Sequence, residues 1–134
     1  MKQLKNLKKR IKVRPCLKNC FTKNEYHVLI YQKSRITGMN PEFILNFWLD
    51  EVGPDCWFSS DESLDGLIEQ KFKETLQHIL SGGHSLWLTY PSGALAYIIV
   101  LDQFSRNIFR DNKSSFAADR IAIAASKQSI KHEF

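Results

Sequence analysis

The segment 101–110 contains the residue types best suited to chemistry in this 134-residue chain. On a helix, Asp102 and Arg106 lie four residues apart and can form an ion pair, and Gln103 and Asn107 share that spacing. A carboxylate beside a guanidinium could bind an anionic ligand or take part in acid–base catalysis. If a second helix covers this face, the same residues would form a polar network that fixes helix register. The spacing favours the network and leaves the functional site as an alternative.

Two further residues, Asp65 and His84, could join Asp102 and Arg106 if the helices bring them to one pocket. That pocket would belong to a small-molecule-binding domain or an enzyme, because it would combine carboxylates, a guanidinium and an imidazole. Sequence alone does not decide whether the chain is an enzyme, and no catalytic residue can be assigned.

Histidine and cysteine do not form a metal-binding pattern in this sequence. Cys16 and Cys20, followed by His27, come nearest to one, but a fourth ligand is missing. Cys56 beside Trp57 is typical of a small core residue. We therefore expect no metal and no cofactor. The odd number of cysteines and the absence of a secretory signal pattern favour the cytoplasm.

Charge is distributed very unevenly along the chain. Residues 1–40 contain eleven Lys and Arg and one acid, whereas residues 41–134 contain eight bases and thirteen acids. The basic sequence pI near 9.2 therefore describes an N-terminal extension, residues 1–38, and not the remaining chain. Such an extension could bind nucleic acid or an anionic surface weakly and without sequence preference, or it could be a poorly ordered tail. The longest apolar run, residues 94–101, is too short to span a membrane, so we expect a soluble protein.

Periodicity beyond residue 38 predicts four helices. The first should start at Pro41, with Asn40 as its N-cap, and end near Val52. A capping box formed by Ser59 and Glu62 should open the second, which two glycines end at 82–83. The third is predicted over about 92–110. The fourth, capped by Ser114 or Ser115, is predicted over about 117–131.

Short connections between these helices favour antiparallel neighbours, and therefore an all-α helical array. A short apolar run over residues 26–31 could be a strand, but it has no convincing partner. We expect residues 39–134 to form the helical domain.

Several separate motifs in the right order resemble an uncharacterised bacterial family, domain of unknown function 924. The resemblance covers about residues 39–134, and it rests on these residues: Phe47-Trp48, Trp57-Phe58, Asp65, Phe72, the stretch 91–101, Asp102-Gln103-Phe104, Arg106-Asn107, Phe116-Ala117 and Asp119. It implies a tetratricopeptide-like, all-helical superhelix. It implies no reaction, since no activity is established for the family as a class.

The sequence also departs from the family pattern. The family usually has Gly at the position of Asp50 and Pro at that of Ser105, and its domain continues for several further helices beyond the equivalent of Phe134. We therefore expect a C-terminally shortened member, for which Met39 could be the natural start. If the missing helices normally cover the third and fourth, residues such as Ile121, Ile123 or Ile130 should be exposed and the chain should self-associate.

These observations make an interaction scaffold for a protein or peptide the leading hypothesis for function. The antiparallel helices and the resemblance favour it, although no internal repeat near 34 residues is evident. The alternatives are the small-molecule site at Asp102 and Arg106 and a basic extension that binds nucleic acid.

Overall fold

A computed structural model describes residues 39–134, and this part of the chain is all-α. The predicted strand at residues 26–31, the Cys16, Cys20 and His27 group, and the basic extension lie outside the described residues. The four helices are named α1 to α4. Helix α1 is α-helical over Pro41–Leu45 and π-helical over Asn46–Val52, and α2 is Glu62–Leu80. Helix α3 is α-helical over Pro91–Ile99, π-helical over Val100–Phe104 and α-helical again over Ser105–Ile108, and α4 is Asp119–Lys131. Short 3₁₀ turns lie between them at Pro54–Cys56, Ser85–Thr89 and Lys113–Phe116.

The ends of α1 and α2 follow from local side-chain chemistry. Asn40 Oδ1 accepts a hydrogen bond from the Phe43 amide at 2.9 Å, which confirms the predicted N-cap. The predicted capping box at Ser59 is wrong, because Asp61 is the N-cap of α2 and its Oδ1 accepts from the amides of Ser63 and Leu64. Asp61 competes well for that position, since its carboxylate also interacts favourably with the positive end of the helix dipole.

The start of α4 also differs from the prediction. Residues Lys113–Phe116 form a separate 3₁₀ turn, in which Asn112 Oδ1 accepts from the Ser114 amide. Helix α4 then begins at Asp119 without a side-chain cap. An Asn side chain can stabilise such a turn before the next helix, so Asn112 competes with Ser114 and Ser115 as a cap. The two serines alone did not indicate this.

The core is built from aromatic side chains of three helices. Phe104 of α3 is fully buried, and its ring centroid lies 4.6 Å from that of Phe72, 5.4 Å from Trp48 and 6.1 Å from Phe47. Cys56 is buried in the same core, as its position beside Trp57 predicted. Aromatic rings at these separations stabilise beyond their buried area. The Phe104 ring therefore fixes the middle of α3 against α1 and α2.

Alanine dominates the buried face of α4. Ala122 and Ala125 are buried, as is Ala118 just before the helix, and α4 packs chiefly on α3. Small side chains let two helix backbones approach closely, but they bury little apolar area. Within residues 39–134, no helix is long and apolar enough to cross a membrane.

Candidate functional site

The first group of polar residues joins α2 to the end of α3, and we call it the Asp65 cluster: Asp65, Asn107 and Arg110. Asn107 Nδ2 donates to Asp65 Oδ1 at 2.9 Å, and Arg110 Nη2 donates to the same oxygen at 2.8 Å. Arg110 Nε donates to Asp65 Oδ2 at 2.5 Å. The Asp65 side chain is 14% exposed and Asn107 is buried. The hydrogen bond that Arg110 donates to Asp65 raises the pKa of the Arg110 guanidinium, which therefore stays positively charged.

The second group joins α3 to α4, and we call it the Arg106 cluster: Arg106, Asp102, Asp119 and Ser115. Arg106 Nη2 donates to both carboxylate oxygens of Asp119, at 3.1 and 3.2 Å, and Nη1 donates to the Ser115 carbonyl at 3.3 Å. The predicted Asp102–Arg106 ion pair is present but long, at 3.9 Å. The guanidinium therefore holds the start of α4 more firmly than it holds its own helix.

The flat face of the Arg106 guanidinium also contacts an aromatic ring. Its central carbon lies 4.6 Å from the centroid of Phe116, whose side chain is otherwise 62% exposed. A cation–π contact of this kind contributes about 0.5–1 kcal/mol at exposed sites. Arg106 thus links both the 3₁₀ turn and the helix that follow α3.

The structure divides the predicted site residues between these two clusters. Gln103 and Asn107 do not pair as their spacing predicted: Gln103 Nε2 donates to Asp102 Oδ2, and Asn107 donates to Asp65. Both alternatives place an amide donor on a carboxylate, which is a stronger hydrogen bond than one between two neutral amides.

His84 does not belong to either cluster. Its ring stacks on Trp87 at a centroid distance of 4.2 Å and meets His78 edge-on at 4.5 Å. His84 adopts a left-handed backbone conformation, with φ of 57°, in the turn after α2. Burial, and secondarily the charge of His78, lower the pKa of His84.

Three residues of the clusters could not be assigned from spacing: Arg110, Ser115 and Asp119. Arg110 contacts Asp65 across 45 positions of sequence, and Asp119 contacts Arg106 across 13. Asp119 was noted only through the family resemblance. A helical periodicity analysis detects pairs within one helix, so contacts between helices leave no local signal.

Charge balance decides what these clusters can do chemically. Arg110 is matched by Asp65, and Arg106 faces two carboxylates, Asp102 and Asp119. An anionic ligand would have to displace a carboxylate from either guanidinium. The arrangement is therefore better suited to holding helices together than to binding an anion.

A different surface, the outer face of α4, carries large apolar side chains. Ile123 is 54% exposed and Ile130 is 75% exposed, which confirms the predicted exposure at these two positions. Ile121 is only partly buried and packs against the core. Three exposed cations, Arg120, Lys127 and Lys131, lie on the same helix. We call Ile123 and Ile130 with these three cations the α4 face.

The structure is that of an all-α protein with an aromatic core and two polar clusters between its helices. The family that this chain matches is one of unknown function. A family model described as "Bacterial protein of unknown function (DUF924)" matches residues 44–134. The chain belongs to this family, as its sequence motifs indicated.

A solved structure shares the fold. It is described as a protein of unknown function, ATU0120, from Agrobacterium tumefaciens, and it is 27% identical in sequence with a TM-score of 0.67. The match covers 75% of this chain and 55% of the other, so this chain spans little more than half the length of that protein. No curated protein matches the sequence.

Proposed function

We propose that this protein is a scaffold for interaction with another protein or a peptide. The observation that carries the proposal is the one-sided packing of α4. Its buried face consists of alanines, whereas Ile123 and Ile130 on its outer face remain mostly exposed. Large apolar side chains that lie together on a surface commonly mark a site of protein contact.

The helical architecture supports the same proposal. Tetratricopeptide-like proteins, which the sequence resembles, add helices side by side and present extended helix faces to partners. In this chain α3 and α4 are consecutive, packed together and joined by a short turn. We infer that the α3–α4 pair is the last unit of such an array within residues 39–134, with residues 1–38 as an extension and the cytoplasm as its compartment.

The polar clusters have a structural role in this proposal. The Asp65 cluster fixes α3 on α2, and the Arg106 cluster fixes α4 on α3, so together they hold the outer face of α4 in place. The charge balance of the clusters supports this role over catalysis, because each guanidinium already has a carboxylate partner.

Selection from a random library of displayed peptides tests the proposal without presupposing a surface. The full chain would be immobilised and the enriched peptides measured in solution by fluorescence anisotropy. We expect peptides with an apolar face and dissociation constants in the micromolar range. The proposal fails if no enriched peptide binds in solution, or if the purified chain turns over a metabolite at a rate that Arg106→Ala abolishes while leaving its thermal unfolding unchanged.

A further inference from the structure

We propose that the turn between α2 and α3 is an acid-sensitive latch, which is closed while His78 and His84 are neutral and opens when both are protonated. The latch consists of these two histidines with Gly83 and Trp87. It is independent of the proposed scaffold function, because it concerns how the fold responds to pH and not what the protein binds. Three features carry it: the packing of the rings, the backbone of the turn and the charges nearby.

The His84 ring closes the turn by lying against two other rings. It stacks on Trp87 with the ring centroids 4.2 Å apart, and it meets the His78 ring at 4.5 Å with an interplanar angle of 86°. Neutral aromatic rings attract each other in both arrangements. Trp87 is buried and belongs to the core, so these contacts tie the turn to the interior of the protein.

The backbone of the turn depends on these ring contacts. His84 has φ of 57°, in the left-handed region, which costs conformational energy for a residue other than glycine. Its carbonyl accepts a hydrogen bond from the Trp87 amide at 3.0 Å, and the Gly83 amide donates to the His78 carbonyl at 2.8 Å. Loss of the ring contacts would leave the conformational cost without compensation, so both hydrogen bonds should open more often.

Gly83 positions the His78 ring. A Cβ atom at Gly83 would lie 2.5 Å from Nδ1 and 2.6 Å from Nε2 of His78, which is closer than van der Waals contact allows. The imidazole of His78 therefore lies directly on the Gly83 backbone. A side chain at position 83 would push this ring away from its place beside His84 while leaving both histidines in the chain.

The groups around the turn do not neutralise two added protons. On the α2 side His78 itself meets His84, and the nearest acid along that helix is Glu74, which is exposed and lies one turn before His78. The 3₁₀ turn Ser85–Thr89 and the first half of α3 carry no charged residue, and the titratable side chains there are Tyr90 and Tyr97. Within residues 39–134, neither histidine forms an ion pair with a carboxylate.

Repulsion between two charged imidazoles decides the direction of the pH effect. Burial, and after it the positive charge of His78, lowers the pKa of His84. A proton therefore binds the open turn more readily than the closed one, and the closed turn loses stability as pH falls below about 6.5. A charged His84 would still be attracted to the face of Trp87, which offsets part of the cost of burial. The charge of His78 therefore decides whether the His84 ring leaves.

Amide hydrogen exchange of the full chain, followed by NMR at about pH 7.5 and about pH 5.5, tests the latch. Exchange rates are corrected for the intrinsic effect of pH and expressed as protection. The reporters are the amides of Gly83 and Trp87, whose hydrogen bonds close the turn. The internal reference is the amide of Leu76, a fully buried residue of α2.

Three variants separate the parts of the latch. His84→Asn and His78→Asn each remove one imidazole, and Gly83→Ala displaces the His78 ring without removing a titratable group. The matched control is Gly66→Ala on α2, because a Cβ atom there meets nothing within 4 Å.

In the unchanged chain, lowering the pH should reduce the protection of the Gly83 and Trp87 amides by at least about threefold more than that of Leu76. In His84→Asn the protection of the turn should no longer depend on pH. His78→Asn and Gly83→Ala should each reduce the pH-dependent fall to less than half, and Gly66→Ala should leave it unchanged.

Three results would overturn the inference. Equal protection of the turn at both pH values would show that it does not open in acid. A fall shared equally by Leu76 would show unfolding of the whole domain instead of opening of the turn. A fall that persists undiminished in both His78→Asn and Gly83→Ala would show that burial of His84 alone accounts for it, and that the two histidines do not act together.

Discussion

Replacing Asp65 with alanine should destabilise the fold through one buried amide. In the Asp65 cluster, the carboxylate accepts hydrogen bonds from both Asn107 and Arg110. Arg110 is about one-third exposed, and water can solvate its guanidinium after the substitution. Asn107 is buried, so its Nδ2 group would lose its observed acceptor in a place that water reaches poorly.

The magnitude follows from these two unequal contributions. A buried donor left without a partner costs about 1–3 kcal/mol. The partly exposed ion pair to Arg110 adds at most about 1 kcal/mol. We therefore expect Asp65→Ala to lower the free energy of unfolding by about 2–3 kcal/mol, most of it through Asn107.

Urea unfolding followed by tryptophan fluorescence measures this change, since Trp48 is buried in the core. The unfolding midpoint should fall on the order of 1 M for Asp65→Ala. Glu69→Ala is the control, because Glu69 forms only an exposed ion pair with Lys73 on the same helix, and we expect a change below about 0.5 kcal/mol.

A double-mutant cycle isolates the pair. Combining Asp65→Ala with Asn107→Ala should cost about 1 kcal/mol less than the sum of the two single changes, because the second substitution removes the unsatisfied amide. Strict additivity, or an Asp65→Ala variant as stable as Glu69→Ala, would refute the claim that this cluster holds α3 on α2.

Three more predictions follow from other parts of the chain. Phe104→Ala should cost about 3–5 kcal/mol in chemical denaturation, because the ring is fully buried among three aromatic side chains; a smaller loss would mean that the core refills the cavity. Since the pKa of His84 is lowered in the folded state, unfolded His84 binds a proton more readily and the free energy of unfolding should fall as pH drops through about 6.5. His84→Asn should flatten that dependence in pH-resolved melting, and an unchanged dependence would contradict the prediction. The full chain should bind duplex DNA weakly through residues 1–38, with affinity falling steeply as salt rises, and salt-independent binding in a filter assay would contradict this.

Helix positions were more predictable from the sequence than helix ends or contacts between helices. Asn40 and Pro41 signalled the start of α1 because both act within one turn of backbone. The predicted start of α2 was wrong because Ser59 and Asp61 are both good N-cap residues. The local sequence does not show which of the two is favoured once tertiary packing contributes. The Asp102–Arg106 pair was visible at a spacing of four, but its stronger alternative, Asp119, lies on another helix.

The exposure of Ile123 and Ile130 was expected from the family resemblance, because the family domain continues for several further helices beyond the equivalent of Phe134. Ile123 and Ile130 share a side of α4 that its alanines do not, so the helical period alone separates two faces. Which face is buried depends on the small side chains, since Ala122 and Ala125 fit closely against α3.

The π-helical segment Val100–Phe104 makes the length of α3 as important as its composition. A π-helical turn holds one more residue than an α-helical turn, so it offsets everything that follows it by about 100° around the helix axis. If this segment wound as a regular α-helix at the same length, Arg106 and Asn107 would turn by about 100° away from Asp119 and Asp65, whereas deleting one residue within it would cancel that rotation. A change of winding alone would therefore break both clusters while every hydrogen-bonding side chain was retained. Helix α3 should therefore tolerate the loss of one residue within Val100–Phe104 better than the loss of one residue within its α-helical part, Pro91–Ile99.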